Sequence, residues 1–141
     1  MPIGSDPTIA GAQFILTVDG IAPIRFTACQ NLGTKTEVVE QQVTMPDGRV
    51  GYRKLPGVQK PLNVVLKRPM DANMDLMAWR RMVESGGTKG SKRNGNIVVI
   101  DTTGAPLARW DFVGGWPAKL VSSILNSTEE LTLAVDTLRR V

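Results

Sequence analysis

From Gln13 onward, apolar and polar residues alternate with a period of two, in runs only long enough for strands, each closed by a turn signal. In "AQFILTVDG", Phe14, Leu16 and Val18 share one face and Asp19-Gly20 supplies the turn; in "PIRFTAC", Ile24, Phe26 and Ala28 point inward while Arg25 and Thr27 point out. A third run, Thr36 to Met45, ends at Pro46-Asp47-Gly48, where proline presets the bend and glycine accepts positive φ. Arg49 to Lys54 is therefore expected to fold back on it. Leu55-Pro56-Gly57 then reads as a corner before a fifth strand, Pro61 to Lys67, with Leu62, Val64 and Leu66 on one face. Further on, "IVVID", "LARWDFVGG", "WPAKLVSSIL" and "EELTLAVDTL" read as separate strands. Ala108, Trp110 and Phe112 oppose Leu107, Arg109 and Asp111, and Leu131, Leu133 and Val135 repeat the pattern.

One stretch departs from this period. In "PMDANMDLMAWRRMVESGG", Ala72, Leu76, Trp79 and Val83 recur at helical spacing, Asp71 or Asn73 can cap the start, and Gly86-Gly87 ends the helix. Met74, Met77 and Met82 read as core filler on a short amphipathic helix. Eight or nine short strands and one helix imply a mainly β (α+β) fold: an antiparallel two-sheet barrel or sandwich with a flanking α-helix. At 141 residues, positions 1–141 form a single domain, with Met1 to Gly11 expected as a mobile arm.

The chain has no histidine, which removes Ser-His-Asp and Cys-His chemistry, His-based metal sites and the usual acid-base catalysis at neutral pH. Cys29 is the single cysteine, has no partner for a disulfide, and sits where a small packed residue belongs. "GGTKG", residues 86 to 90, follows no strand and lacks the Ser or Thr after Gly-Lys that a phosphate loop requires. No catalytic, cofactor-binding or metal-binding residues are expected, and hence no enzyme; a flavin-binding barrel would be the least implausible one. Met1 to Ala12 has neither a charged start nor an apolar core, so no export leader and no membrane span are expected, and synthesis and folding are expected in the cytoplasm.

The order of motifs resembles the inner tube proteins of contractile phage tails and of bacterial contractile injection systems. The resemblance is carried by "RKLPG" at Arg53 to Gly57, a strand ending "LKR" at Leu66 to Arg68, and a helix with Trp79. It continues through "NGNIVVID" at Asn94 to Asp101, "ARWDFVGGWPAKL" at Ala108 to Leu120, with Trp110, Phe112, Trp116 and Pro117, and the closing "NSTEELTLAVDTLRRV". It implies a virion or particle component built as a homo-hexameric ring, with rings stacking into a hollow tube inside a contractile sheath. It further implies baseplate and tube-terminator partners, with DNA or a protein effector as cargo in the lumen. The stretch from about Val39 to Leu55 would be an extended hairpin reaching to neighbouring subunits, with Val43, Met45, Pro46, Asp47, Gly48, Tyr52, Arg53, Leu55, Pro56 and Gly57 at the interface and Pro56-Gly57 turning the chain back. Where the family often has a Gly-rich turn and a Ser-Gly pair, this chain has "TEVVEQQVTMPDGRVGY" and Gln30-Asn31-Leu32-Gly33. The main repeating subunit and a specialised copy at one end of the tube both fit.

With a net charge of +4, the densest basic cluster is Arg80, Arg81, Lys89, Lys92 and Arg93. Three readings stand: a solvated face, a surface docking acidic sheath residues, or a phosphate-binding patch on a nucleic-acid-binding barrel of the oligonucleotide-binding type. The last is the alternative function, and few aromatics interleave with the charges to support it.

Overall fold

The computed structural model describes residues 12–86 and 90–141; the expected arm Met1 to Gly11 lies outside them. Alternation becomes strand wherever one face meets a common core. Along β1, Gln13–Val18, the residues Phe14, Leu16 and Val18 are buried and their neighbours half-exposed. The chain continues through β2, Ile21–Phe26; β3, Ala28–Gln30; β4, Thr34–Thr44; β5, Val50–Pro61; and β6, Val64–Pro69. Among the described residues one helix, α1, Asp75–Glu84, precedes β7, Arg93–Ile100; β8, Pro106–Ser123; β9, Thr128–Ala134; and β10, Thr137–Arg140.

All pairings are antiparallel and all but one belong to a single path, β2-β1-β7-β8-β9-β6-β3, with β10 added on β8. The two ends of that path, β2 and β3, are consecutive in the chain and separated by Thr27 alone. The Thr27 N–H donates to the Lys67 carbonyl at 2.9 Å, so the path closes into a barrel. The second sharing element is β8, eighteen residues long. Its first half pairs with β7 and β10, its second half with β9. The bend between them falls at Gly114-Gly115, both buried, Gly114 at φ +67. A Cβ on Gly114 would run into the Asp136 carboxylate and one on Gly115 into the Phe112 ring, so the sequence needs glycine at both.

The barrel interior holds Phe14, Leu16, Phe26, Val64, Leu66, Ile97, Phe112, Leu131 and Leu133, and α1 adds Leu76 and Trp79 to the same cluster. The Trp79 Nε1–H donates to the Ser91 carbonyl at 2.6 Å, which satisfies the indole's donor while its rings stay dry. Arg68 is 5% exposed yet paired: Nη2 lies 2.9 Å from Glu129 Oε1, Nη1 lies 3.5 Å from Asp71, and the guanidinium stands 5.9 Å from the Phe26 ring centre. This ties β6 and β9 to the loop entering the helix.

Several expectations change. The helix starts at Asp75, later than the pattern suggested, with Met74 at the N-cap and Ala72 outside. Neither Asp71 nor Asn73 is the cap residue; they form successive turns, Asp71 accepting from the Asn73 N–H and Asn73 from the Asp75 N–H, each at 2.8 Å. "LARWDFVGG" and "WPAKLVSSIL" are one bent strand rather than two. Leu55-Pro56-Gly57 is no corner: β5 runs through it, and the chain turns at Leu62-Asn63. Trp79, Phe112 and Pro117 are buried as a core motif demands, while Trp110 and Trp116 are half-buried.

Replacing Gly115 with alanine overpacks the Phe112 site and is expected to cost about 1–3 kcal/mol. A urea titration should show a lower midpoint with the slope unchanged. A midpoint equal to the parent chain would mean that the bend tolerates a side chain.

Candidate assembly surface

The pairing outside the barrel is β4 with β5, a separate two-stranded ribbon. Its tip is set by local chemistry. The Gly48 N–H donates to the Met45 carbonyl at 2.9 Å and the Met45 N–H to the Arg49 carbonyl at 2.7 Å. Gly48, at φ +86, takes the left-handed position that closes such a loop. Asp47 adds an acceptor for the Arg49 N–H at 3.1 Å. Nearer the base, Thr36 lies opposite Gln59 and Val38 opposite Pro56, so Gly57-Val58 bulges against Glu37. The bulge and the unpaired outer edge are what admit Pro56 into a strand. Gly57 lets the strands close up there, since a Cβ on it would stand 2.8 Å from Val39 Cγ2.

The base meets the barrel where Thr34 and Gln59 to Pro61 border Asp136 to Arg139 around a cleft of about 290 Å³. From there an eleven-residue strand reaches roughly 35 Å at about 3.3 Å per residue. Both faces of this arm are wet and both carry apolar groups. One face sets Val39 opposite Leu55, Gln41 opposite Arg53 and Val43 opposite Gly51. The other sets Val38 opposite Pro56, Glu40 opposite Lys54, Gln42 opposite Tyr52 and Thr44 opposite Val50. Tyr52 is 71% and Val38 66% exposed. A lone two-stranded ribbon is marginal in water, and burying one such aliphatic side chain stabilises by about 1.5–3 kcal/mol. Both faces of the arm therefore hold apolar side chains that a second surface would dry.

All ten residues expected at a hairpin interface stand on this ribbon: Val43, Arg53, Leu55 and Gly57 on one face, Tyr52 and Pro56 on the other, and Met45, Pro46, Asp47 and Gly48 at the tip. Sequence reading stopped short at both ends, because the ribbon spans Thr34 to Pro61, and it missed the exposed Val38, Val50 and Val58. A β-branched residue on each face in turn, as in Val38-Val39, was the available signal.

Most of the described residues of the basic cluster have partners within the chain. Arg93 donates to the Gly90 carbonyl at 2.9 Å and the Asp19 carbonyl at 3.1 Å and lies 5.9 Å from the Trp79 ring centre. Arg80 donates to the Pro117 carbonyl at 3.2 Å, and Lys92 pairs with Asp136 at 3.3 Å. Arg81 stands exposed, and Lys89 lies outside the described residues. Trp79 is buried and Arg140 stands 5.4 Å from the Trp110 ring centre, so the charges have no open aromatic platform beside them for stacking bases. Among the described residues no three His, Cys, Asp or Glu side chains gather to hold a metal ion, and no helix is long and apolar enough to cross a membrane. The Asp101 carboxyl is held below its ordinary range by the Thr103 hydroxyl and then by the Ala105 N–H, a turn-forming role.

The model of the family described as T4-like virus tail tube protein gp19 matches residues 11–139. No curated protein sequence matches the chain. Among solved structures it is similar to a chain of the sheath-tube complex of PVC, an extracellular contractile injection system, in the extended state: 20% identity, TM-score 0.71, 92% of this chain and 88% of that one. It is similar to a chain of the anti-feeding prophage baseplate, 6-fold symmetrised, at 16% identity and TM-score 0.64 over 100% and 96% of the two chains. The likeness extends to Hcp1 from Flavobacterium johnsoniae, at 15% identity and TM-score 0.54 over 91% and 94%. At these identities the shared property is the fold.

Two outcomes are expected of the isolated chain. Amide protons of Thr36 to Gln59 should exchange orders of magnitude faster than those of β6 and β9, because the ribbon opens without disturbing the core; equal protection would mean the ribbon packs on its own barrel. Burial pushes the Cys29 thiol up from 9.0 to about 12. The folded state therefore favours the protonated thiol, and this contribution to stability is lost as pH rises from about 9 toward about 12. Iodoacetamide at pH 8.5 should label Cys29 only after unfolding in urea; rapid labelling of the folded chain would contradict that burial.

Proposed function

The chain belongs to the T4-like virus tail tube protein family, and from that premise we propose that it is a structural subunit of the inner tube of a contractile injection machine. Hexameric rings of it stack into a hollow rod inside a sheath, and contraction drives the rod through a target envelope with DNA or a protein effector in its lumen. The observation that carries the reading is the β4–β5 ribbon, a long arm with apolar side chains on two wet faces. A closed ring covers such an arm on every copy alike, because a head-to-tail contact repeated around an axis leaves no copy with a free end. The six-fold symmetry of the baseplate structure that contains a similar chain supports six as the number.

The role is mechanical. The only cysteine is half-buried and held as a thiol, histidine is absent, and the paired charges serve turns and strand contacts. Sheath, baseplate and terminator proteins are the partners of such a rod, and assembly takes place in the bacterial cytoplasm before the particle is used. Of the basic cluster that could face the sheath, Arg80, Lys92 and Arg93 have partners within the chain and Arg81 stands exposed.

Removing the ribbon tip, Thr44 to Val50, tests the assignment. The shortened chain should keep its circular dichroism and melting behaviour and stay monomeric, while the parent chain forms rings or rods in negative-stain electron microscopy. Rods from the shortened chain would reject the ribbon as the assembly element.

A further inference from the structure

The β8–β9 hairpin ends in Ile124-Leu125, which at 86% and 93% are the most exposed large apolar side chains among the described residues. They sit on a fixed turn. The Ser127 N–H donates to the Ile124 carbonyl at 3.3 Å, and the Ser127 carbonyl accepts the Met70 N–H at 2.9 Å, tying the turn to the loop that enters α1. Ser127, at φ +52, holds the left-handed position. Local folding gives no reason for two aliphatic residues here, since a turn of this kind is served as well by Asn, Asp, Ser or Gly. From Leu120 to Thr128 there is no charged side chain, which marks the contact surface as one that can be dried without stranding a charge.

The turn stands at the far end of the β6–β9 pair from the ribbon. β6 leaves the ribbon at Val64, opposite Leu133, and reaches the turn at Pro69, opposite Thr128. Ribbon and turn therefore leave opposite ends of the β6–β9 pair, roughly 17 Å apart along the strands. A chain with an uncovered apolar ribbon at one end and a rigid aliphatic knob at the other is complementary to further copies of itself in a head-to-tail arrangement. The ribbon has two faces to cover and one neighbour covers one of them. The face with Val38, Val50, Pro56 and Tyr52 carries the more exposed apolar groups.

We propose that the Ile124-Leu125 turn docks on the β4–β5 ribbon of a second copy of this chain, on the face bearing Val38, Val50, Pro56 and Tyr52. The proposal rests on the tube-subunit reading and adds the surface that receives the ribbon. Two experiments on the full chain test it. The double variant Ile124→Ser, Leu125→Ser keeps turn-compatible residues, so it should melt like the parent while the protein concentration at which rods appear rises at least tenfold. A benzoylphenylalanine photo-crosslinker placed at Leu125 in assembled rods should give crosslinked peptides from residues 34–61 of another copy, a readout that needs no destabilising change. Rods from the double variant at the parent's concentration, or crosslinks to a different segment or to sheath protein, would overturn the docking while leaving the tube reading intact. A parent chain that forms neither rings nor rods would instead remove the tube reading, and this proposal with it.

Discussion

The bend of β8 at Gly114-Gly115 is the constraint on which the rest of the molecule depends. Sharing β8 between both halves, with β2 and β3 sharing the other seam across Thr27, lets one path of short strands close on itself. The Phe112 ring, packed where a Cβ of Gly115 would lie, fills the inside of the bend, and Asp136 closes over Gly114 from the β9–β10 connection. Closure pairs the barrel strands with one another and leaves the ribbon outside that path.

That independence gives the ribbon its freedom. Because β4 and β5 take no part in the barrel path, their twenty-odd residues can carry side chains chosen for another surface, and the bulge at Gly57-Val58 with Pro56 beside it gives the arm a fixed local irregularity. Exposed long edges are normally an aggregation hazard. Here proline interrupts one strand, while Lys60 with Glu37 and Glu40 opposite Lys54 place charge along the faces. Those features restrain random edge pairing and leave the apolar positions for a shaped partner.

What could be read in the sequence divides along the same line. Period-two alternation at Phe14, Leu16 and Val18 or at Leu131 and Leu133 reports burial, and it located β1 and the centre of β9 because burial is what created the pattern. The ribbon has no buried face, so alternation gave its extent poorly, and a proline with a glycine looked like a corner when they mark a bulge. The two halves of β8 read as separate strands for a related reason: Gly-Gly is as good a signal for a turn as for a bend, and only the Phe112 and Asp136 side chains packed over it distinguish them. The basic cluster left three readings open because charge is visible in sequence while its partners are not. Arg93 meets the carbonyl of Asp19 from far along the chain, and Lys92 meets Asp136.

The ribbon and the Ile124-Leu125 turn, which carry the most exposed apolar side chains, stand at opposite ends of the β6–β9 pair. A single isologous contact would need one self-complementary patch. Two unlike patches at opposite ends instead generate open or cyclic chains of copies, according to the rotation between them. A tube uses both outcomes, with closure around the axis and open repetition along it, and a subunit of this kind needs contacts of two directions. In the proposed docking the ribbon supplies one side of such a contact and the Ile124-Leu125 turn the other. The asymmetry of one subunit is thus enough to specify a polar rod, in which every ring presents the same end forward.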